Sequence, residues 1–162
     1  MLTPVQKREI RRSNGSFAII ASRYNARYVD AMVEAAEREL KKAGAKRIRL
    51  VRVPGAFEIP AVAARLARAR PPCSAIICLG VILRGQTTHA QQIADAVSAG
   101  LAQLQIQHAL PVIHEVLLLE NEGQAVARCL DKKHNRGREA AQTALEMERV
   151  MRSLGRREKV AL

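Results

Sequence analysis

Aromatic residues are almost missing from this sequence. Of 162 residues only Phe17, Phe57, Tyr24 and Tyr28 are aromatic, and there is no tryptophan. Ala, Val, Ile and Leu must therefore build the core, and the stacking platforms of an RNA-binding sheet or a single-strand-binding barrel are nearly absent. Cysteine is scarce too. Cys73, Cys78 and Cys129 are odd in number and include no Cys-x-x-Cys pair, which points to reduced, packed thiols and a cytosolic compartment. No apolar run is long enough to cross a bilayer, and no signal-peptide stretch precedes Ser13-Asn14-Gly15, so a soluble, cytoplasmic domain without membrane contact is expected. His108, His114 and His134 have no metal-like spacing with carboxylates, and no metal is expected.

What is present is aliphatic and basic. A hydrophobic fraction of 48% excludes a disordered tail protein, and the length suits one domain over 1–162 with basic ends at about 1–14 and 153–162. The net charge of +12 looks at first like a nucleic-acid signal. However, Lys7, Arg8, Arg11 and Arg12 at one end, and Arg149, Arg152, Arg156, Arg157 and Lys159 at the other, carry more than half of the excess. Solvated or assembly-facing termini are favoured over a nucleic-acid site.

Four short apolar runs, Phe17 to Ala21, Ile48 to Val53, Ala75 to Leu83 and Pro111 to Leu119, alternate with helical patterns. Val29, Met32, Val33, Ala36 and Leu40 predict a helix closed by Gly44; Ile59, Val62, Ala63 and Leu66 predict one ended by Pro71-Pro72. Ile93, Val97, Leu101 and Leu104 share one face of a third helix, running to about Gln107. Glu122 to Leu130 reads as a short helix, and Ala140, Ala144, Met147, Met151 and Leu154 as the stripe of a long last one. Continuous apolar strands between helices predict a parallel sheet covered on both faces, a three-layer α/β/α sandwich with four parallel strands.

In such a sheet the ligand site lies at the carboxyl ends of the strands. Polar clusters follow each run: Ser22-Arg23-Tyr24-Asn25, Pro54-Gly55-Ala56-Phe57-Glu58, Arg84-Gly85-Gln86-Thr87-Thr88-His89, and Glu120-Asn121-Glu122 with Arg128 and Arg136 beyond. These are expected to converge on one edge. Neither a dinucleotide glycine motif nor a Walker loop is present. Gly85-Gln86-Thr87-Thr88 is nonetheless a turn entering a helix, able to hold a phosphate or simply to cap. His89, in the first turn of that helix, faces the positive end of the dipole, which disfavours imidazolium and suits a proton acceptor. Tyr24 could stack on a planar ring or pack, and Glu58 could bind or merely complement a helix dipole.

Read in order, Val53-Pro54-Gly55-Ala56-Phe57-Glu58-Ile59-Pro60, Leu79 to His89, and His134-Asn135-Arg136-Gly137 with Glu139-Ala140-Ala141 and Ala144-Leu145-Glu146-Met147 resemble the lumazine synthase family, from about Ser16 to Met151. The resemblance implies a flavodoxin-like fold and a transferase of riboflavin biosynthesis. It would condense 5-amino-6-(D-ribitylamino)uracil with 3,4-dihydroxy-2-butanone 4-phosphate to 6,7-dimethyl-8-ribityllumazine, phosphate and water, without metal or organic cofactor. It implies that Tyr24 stacks on the pyrimidine beside Asn25 and that Ala56, Phe57 and Glu58 meet the ribityl chain. Val81 and Ile82 would contact the uracil, Gly85, Gln86, Thr87, Arg128 and Arg136 would lie at the phosphate, and His89 would transfer protons.

Five positions depart from the family pattern. Tyr24 stands for a usual Phe, Arg136 for a common Lys, and Gln91 for an acid that can orient the histidine; Ala90 replaces an aromatic just before it. His114 stands for a frequent Phe that closes the pocket from a neighbouring subunit. The resemblance also implies active sites between subunits of a pentamer. The length of the turn from Cys129 to Asn135 points on to a sixty-subunit icosahedral shell, with riboflavin synthase as a candidate partner. Two competing readings stay open: a catalytically weakened lumazine- or flavin-binding shell protein, favoured by Gln91, and a basic scaffold that packages nucleic acid.

Overall fold

The computed structural model describes residues 12–158; the basic residues Lys7, Arg8, Arg11 and Lys159 lie outside them. Four strands, β1 (Ser16–Ser22), β2 (Arg47–Val53), β3 (Ala75–Leu83) and β4 (Val112–Leu119), form one parallel sheet in the order β2-β1-β3-β4. Helices α1 (Ala26–Lys42), α2 (Ile59–Ala67), α3 (His89–His108), α4 (Glu122–Ala125) and α5 (Arg136–Glu158) connect and follow them. The chain steps from β1 out to β2, then back across β1 to β3 and on to β4. Because parallel crossovers are right-handed, that reversal of direction puts α1 on one face and α2 and α3 on the other. The return of α5 to the α1 face completes the three layers.

Strand alternation divides the core between those layers. Phe17, Ile19 and Ala21 with Ala75, Ile77 and Leu79 pack under α1 and α5, whereas Ala18, Ile20, Ile76 and Cys78 pack under α2 and α3. These side chains are almost entirely buried, each large aliphatic contributing about 2 kcal/mol. The α1 face closes tightly at Gly137, where an added Cβ would sit 2.0 Å from the Met32 carbonyl oxygen. Only glycine lets the first turn of α5 lie on the α1 backbone. Gly44, at φ 86°, ends α1 as expected.

Several expectations need correction. β2 is not covered on both faces: as an outer strand it exposes Arg47 and Arg49, and Arg52 pairs with Asp30 of α1 at 2.6 Å. Charge on an edge strand blocks edge-to-edge pairing. Helix α2 stops at Ala67, four residues before Pro71, so the prolines follow its end rather than make it. The segment Glu122 to Leu130 is not one helix but a single α turn, α4, followed by a π turn over Val126–Leu130. Leu154 is exposed, because α5 has run past the sheet that buries Ala140 and Ala144. The three cysteines are unpaired, with Cys78 and Cys129 buried. No described helix is long and apolar enough to cross a membrane.

Candidate active site

Between β1 and β3 the connections depart in opposite directions, leaving a crevice at their carboxyl ends, the usual ligand position in open α/β sheets. Asn25 spans it. Held at φ 57° as the residue before α1, a conformation asparagine tolerates, it donates from Nδ2 to the Val81 carbonyl at 2.8 Å. The neighbouring loop is drawn in by the backbone, with Arg23 N–H and Tyr24 N–H both donating to the Pro54 carbonyl, at 3.1 and 3.2 Å. There Gly55 makes room for the Tyr24 ring: a Cβ on it would lie 3.2 Å from the ring edge.

Tyr24 is 71% exposed and Phe57 60%, whereas Phe17 and Tyr28 are buried. The exposed half of the aromatic set thus lies on this one edge. Ala56 is buried in a 3₁₀ turn, Ala56–Glu58, and Glu58 Oε2 accepts the Gly55 N–H at 2.8 Å. That contact is half of a capping box and orients the carboxylate. Its other oxygen has no partner among the described residues.

The loop after β3 is exposed from Arg84 through His89. Thr88 precedes α3 without a side-chain cap, Gly85 has open space where a Cβ would be, and Thr87 Oγ1 accepts the His89 N–H at 3.4 Å. A run of polar contacts crosses this edge. Arg84 donates to Glu120 and to Gln91 Oε1, and Gln91 in turn donates to Asp95, each at 2.8 Å. The Gln91 oxygen is therefore engaged by Arg84 rather than by His89.

The remaining motif residues gather elsewhere. His114 lies opposite Cys78 in the register, while Val81 lies opposite Leu117. Three residues of strand, about 10 Å, thus separate it from the level of the crevice. Its Nδ1 accepts the Val116 N–H at 3.1 Å and its Nε2 meets Ser98 Oγ at 2.7 Å, so the bonding assigns a neutral ring. Burial also lowers its pKa. Next to it in β4, Glu115 accepts from Arg136 Nε at 3.1 Å, and Arg136 Nη1 reaches Glu139 at 2.5 Å. Burial pushes the Glu115 carboxyl up to about 7, with Arg136 opposing the shift.

Arg128 stands on the π turn, exposed. Asn135 anchors that turn: its amide donates to the Cys129 carbonyl and its Oδ1 accepts from Gly137 N–H at 2.9 Å, opening α5. Asp131 Oδ1 accepts the N–H groups of His134 and Lys133 at 2.8 and 2.7 Å, which hold its carboxyl below the usual range.

The residues expected on one edge thus form two groups, Tyr24, Asn25, Gly55 to Glu58, Val81 and Gly85 to His89 at the crevice, and His114, Arg128 and Arg136 beside β4. No hydrogen bond or ion pair among the described residues joins them. A cavity of about 370 Å³ lies at the opposite, amino-terminal edge, lined by Cys73, His108 and Arg152 among others, and includes none of these residues. Sequence reasoning missed Glu115 and Ser98, and gave Arg84 a place in the cluster but not its partners. A Glu interrupting an otherwise apolar strand was the available signal for the first, whereas the partners of Ser98 and Arg84 depend on tertiary approach. No cluster of His, Cys, Asp and Glu among the described residues could hold a metal ion.

A doubly wound parallel sheet whose switch-point crevice carries exposed aromatics, oriented polar groups and a helix-initial histidine defines an α/β protein of the class that keeps its small-molecule sites at such crevices. The sequence profile of 6,7-dimethyl-8-ribityllumazine synthase matches residues 14–152. The 6,7-dimethyl-8-ribityllumazine synthase of Stenotrophomonas maltophilia (strain R551-3) is 42% identical over 140 residues, 85% of this chain and 90% of its own. That of Xanthomonas campestris pv. campestris (strain B100) is 41% identical over 148 residues, covering 90% and 96%. The chain belongs to the 6,7-dimethyl-8-ribityllumazine synthase family.

Proposed function

We infer that the protein is a 6,7-dimethyl-8-ribityllumazine synthase, a transferase of riboflavin biosynthesis. It joins 5-amino-6-(D-ribitylamino)uracil to 3,4-dihydroxy-2-butanone 4-phosphate with release of phosphate and water. The observation that carries the reading is the switch-point crevice, where Asn25, Tyr24, Gly55 and Glu58 are fixed against one another in a chain of this family. The pyrimidine stacks on Tyr24 between the Asn25 amide and the end of β3 at Val81 and Ile82. The ribityl hydroxyls meet the backbone of Ala56 and Phe57 and the outer oxygen of Glu58. The phosphoester sits over Gly85, Gln86 and Thr87, at an uncapped helix start whose N–H groups favour an anion.

The chemistry is a sequence of proton transfers. The pyrimidine amine attacks the ketone to give an imine, phosphate leaves by elimination, and the second amine closes the ring with loss of water. His89, exposed at the head of α3, is the group that carries protons between these steps. His114, Arg128 and Arg136 belong to the same chemistry when a second subunit brings its β4 edge to the crevice of the first. Helix α3 supports a subunit contact: its 20 residues contain one carboxylate and no lysine or arginine, and Ile106 is 81% exposed. The assembly is a homo-oligomer, a pentamer with sites between neighbours, and the Asp131 turn suits its closure into a shell of sixty chains.

Growth of lumazine absorbance on mixing both substrates with the pure protein tests the activity, and native mass separates five chains from sixty. Failure of wild-type protein to form product while it binds the pyrimidine would replace this reading with the weakened binder, which the engagement of Gln91 by Arg84 favours. Co-purifying RNA bound with a steep salt dependence would instead revive the packaging scaffold.

A further inference from the structure

Arg136 is not an open cation. Its guanidinium is gripped by Glu115 through Nε and by Glu139 through Nη1, and the Glu115 side chain is only 12% accessible. Around Glu115 the ionisable groups are Arg136 and Glu139 of α5, Arg128 of the π turn and the buried Cys129 thiol, which burial and the Glu115 charge push up to about 11. On its other side β3 offers only Leu79 at the paired position. Two arginines and two ionised glutamates sum to no net charge. A dianionic phosphoester arriving there meets a compensated cluster, and gains a net cation only when one carboxylate lets go or takes a proton.

Glu139 is the poorer candidate for that role, being 41% accessible and hydrated. Glu115 is enclosed, so its ionised form depends on Arg136 for compensation and its neutral form costs least. An anion that drew Arg136 away would leave a buried carboxylate unpaired, and proton uptake relieves this.

We propose that Glu115 is a positioning residue for the phosphate-bearing substrate, which holds the Arg136 guanidinium beside β4 and, by its own charge, sets how much of that cation an incoming phosphoester meets. The proposal rests on the reading of Arg136 as a phosphate ligand. It makes phosphoester binding proton-linked: up to one proton is taken up at Glu115 as the anion binds, wherever that carboxyl was ionised, and none is consumed in the net reaction.

Inhibition by sulfate, a dianion that does not titrate between pH 6 and 8, measures this on the assembled enzyme. Sulfate should inhibit wild type about fivefold more strongly at pH 6 than at pH 8, the size of one partly screened charge. The Glu115→Gln enzyme should be inhibited by sulfate equally at both, at the wild-type pH 6 level. The variant should also lower KM for the phosphorylated ketone at pH 8 with kcat little moved, whereas a purely structural role would move neither the pH profile nor KM alone. If Glu115→Gln keeps the wild-type pH dependence while Arg136→Ala abolishes sulfate inhibition, the role of Glu115 is overturned and Arg136 stands. Should Arg136→Ala leave sulfate inhibition and KM unchanged, the phosphate reading of Arg136 itself falls.

Discussion

The crevice and the β4 edge hold their polar groups by different means. At the crevice, backbone does the holding: Asn25 binds a strand-end carbonyl, Glu58 binds an N–H, and Tyr24 leans on a glycine. The functional ends stay exposed. Beside β4, charge does it: Arg136 lies between two carboxylates and His114 is spent on Ser98 and Val116. The first arrangement is ready for a neutral, hydroxylated ligand, and the second is compensated until something displaces it. On the proposed function this difference is a division of labour, in which the crevice takes the pyrimidine and the β4 edge of a neighbour answers the phosphoester.

The strongest way to break this comparison is mixing. His89→Ala and Arg136→Ala chains, each strongly slowed alone, should recover product formation when refolded together, because about a quarter of the interfaces then pair an intact crevice with an intact β4 edge. Recovery of nothing would place both groups in one subunit's site. Next in size, Gly137→Ala should cost about 3 kcal/mol or more in denaturant unfolding, since its Cβ meets the Met32 carbonyl oxygen and has nowhere to move. His89→Ala alone should slow turnover about a hundredfold with pyrimidine binding retained.

Glu115→Gln gives a smaller effect that depends on pH. The folded state raises this carboxyl from its ordinary 4.5 to about 7, so it contributes stability below pH 4.5 that is lost as pH rises through 7. The variant should match wild type near pH 4.5 and exceed it at pH 8 by on the order of 2 kcal/mol, read from unfolding curves. Smallest, Asn25→Ala should cost about 1 kcal/mol and weaken pyrimidine binding, a change that Ser98→Ala on the other edge should not reproduce.

The sequence carried the crevice better than the β4 edge for a physical reason. Residues 53–60 and 79–89 are contiguous stretches in which turn, cap and ligand group follow one another, so local pattern and site coincide. The pairing of Glu115 with Arg136 joins positions 21 apart through the packing of α5 on the sheet, and no local pattern encodes it. In the same way, Asn135 and Gly137 look like site residues in a motif, yet one clasps the π turn to the start of α5 and the other admits the α1 backbone. Arg136 between them is held instead by side chains, the carboxylates of Glu115 and Glu139. The exposed β2 edge differs from the covered strand that its apolar residues suggest, because Arg47, Arg49 and Arg52 stand among them on a strand with no neighbour beyond it among the described residues.

The shortage of aromatics gives the protein a built-in optical reporter. Without tryptophan, its near-ultraviolet emission comes from two tyrosines, of which Tyr28 is sealed in the core at 4% exposure and Tyr24 stands open at the crevice. A ring that stacks on Tyr24 quenches one emitter and leaves the other as an internal reference. Occupancy of the crevice can therefore be followed by fluorescence in the unlabelled chain, apart from turnover, while the steady Tyr28 signal reports that the core remains intact.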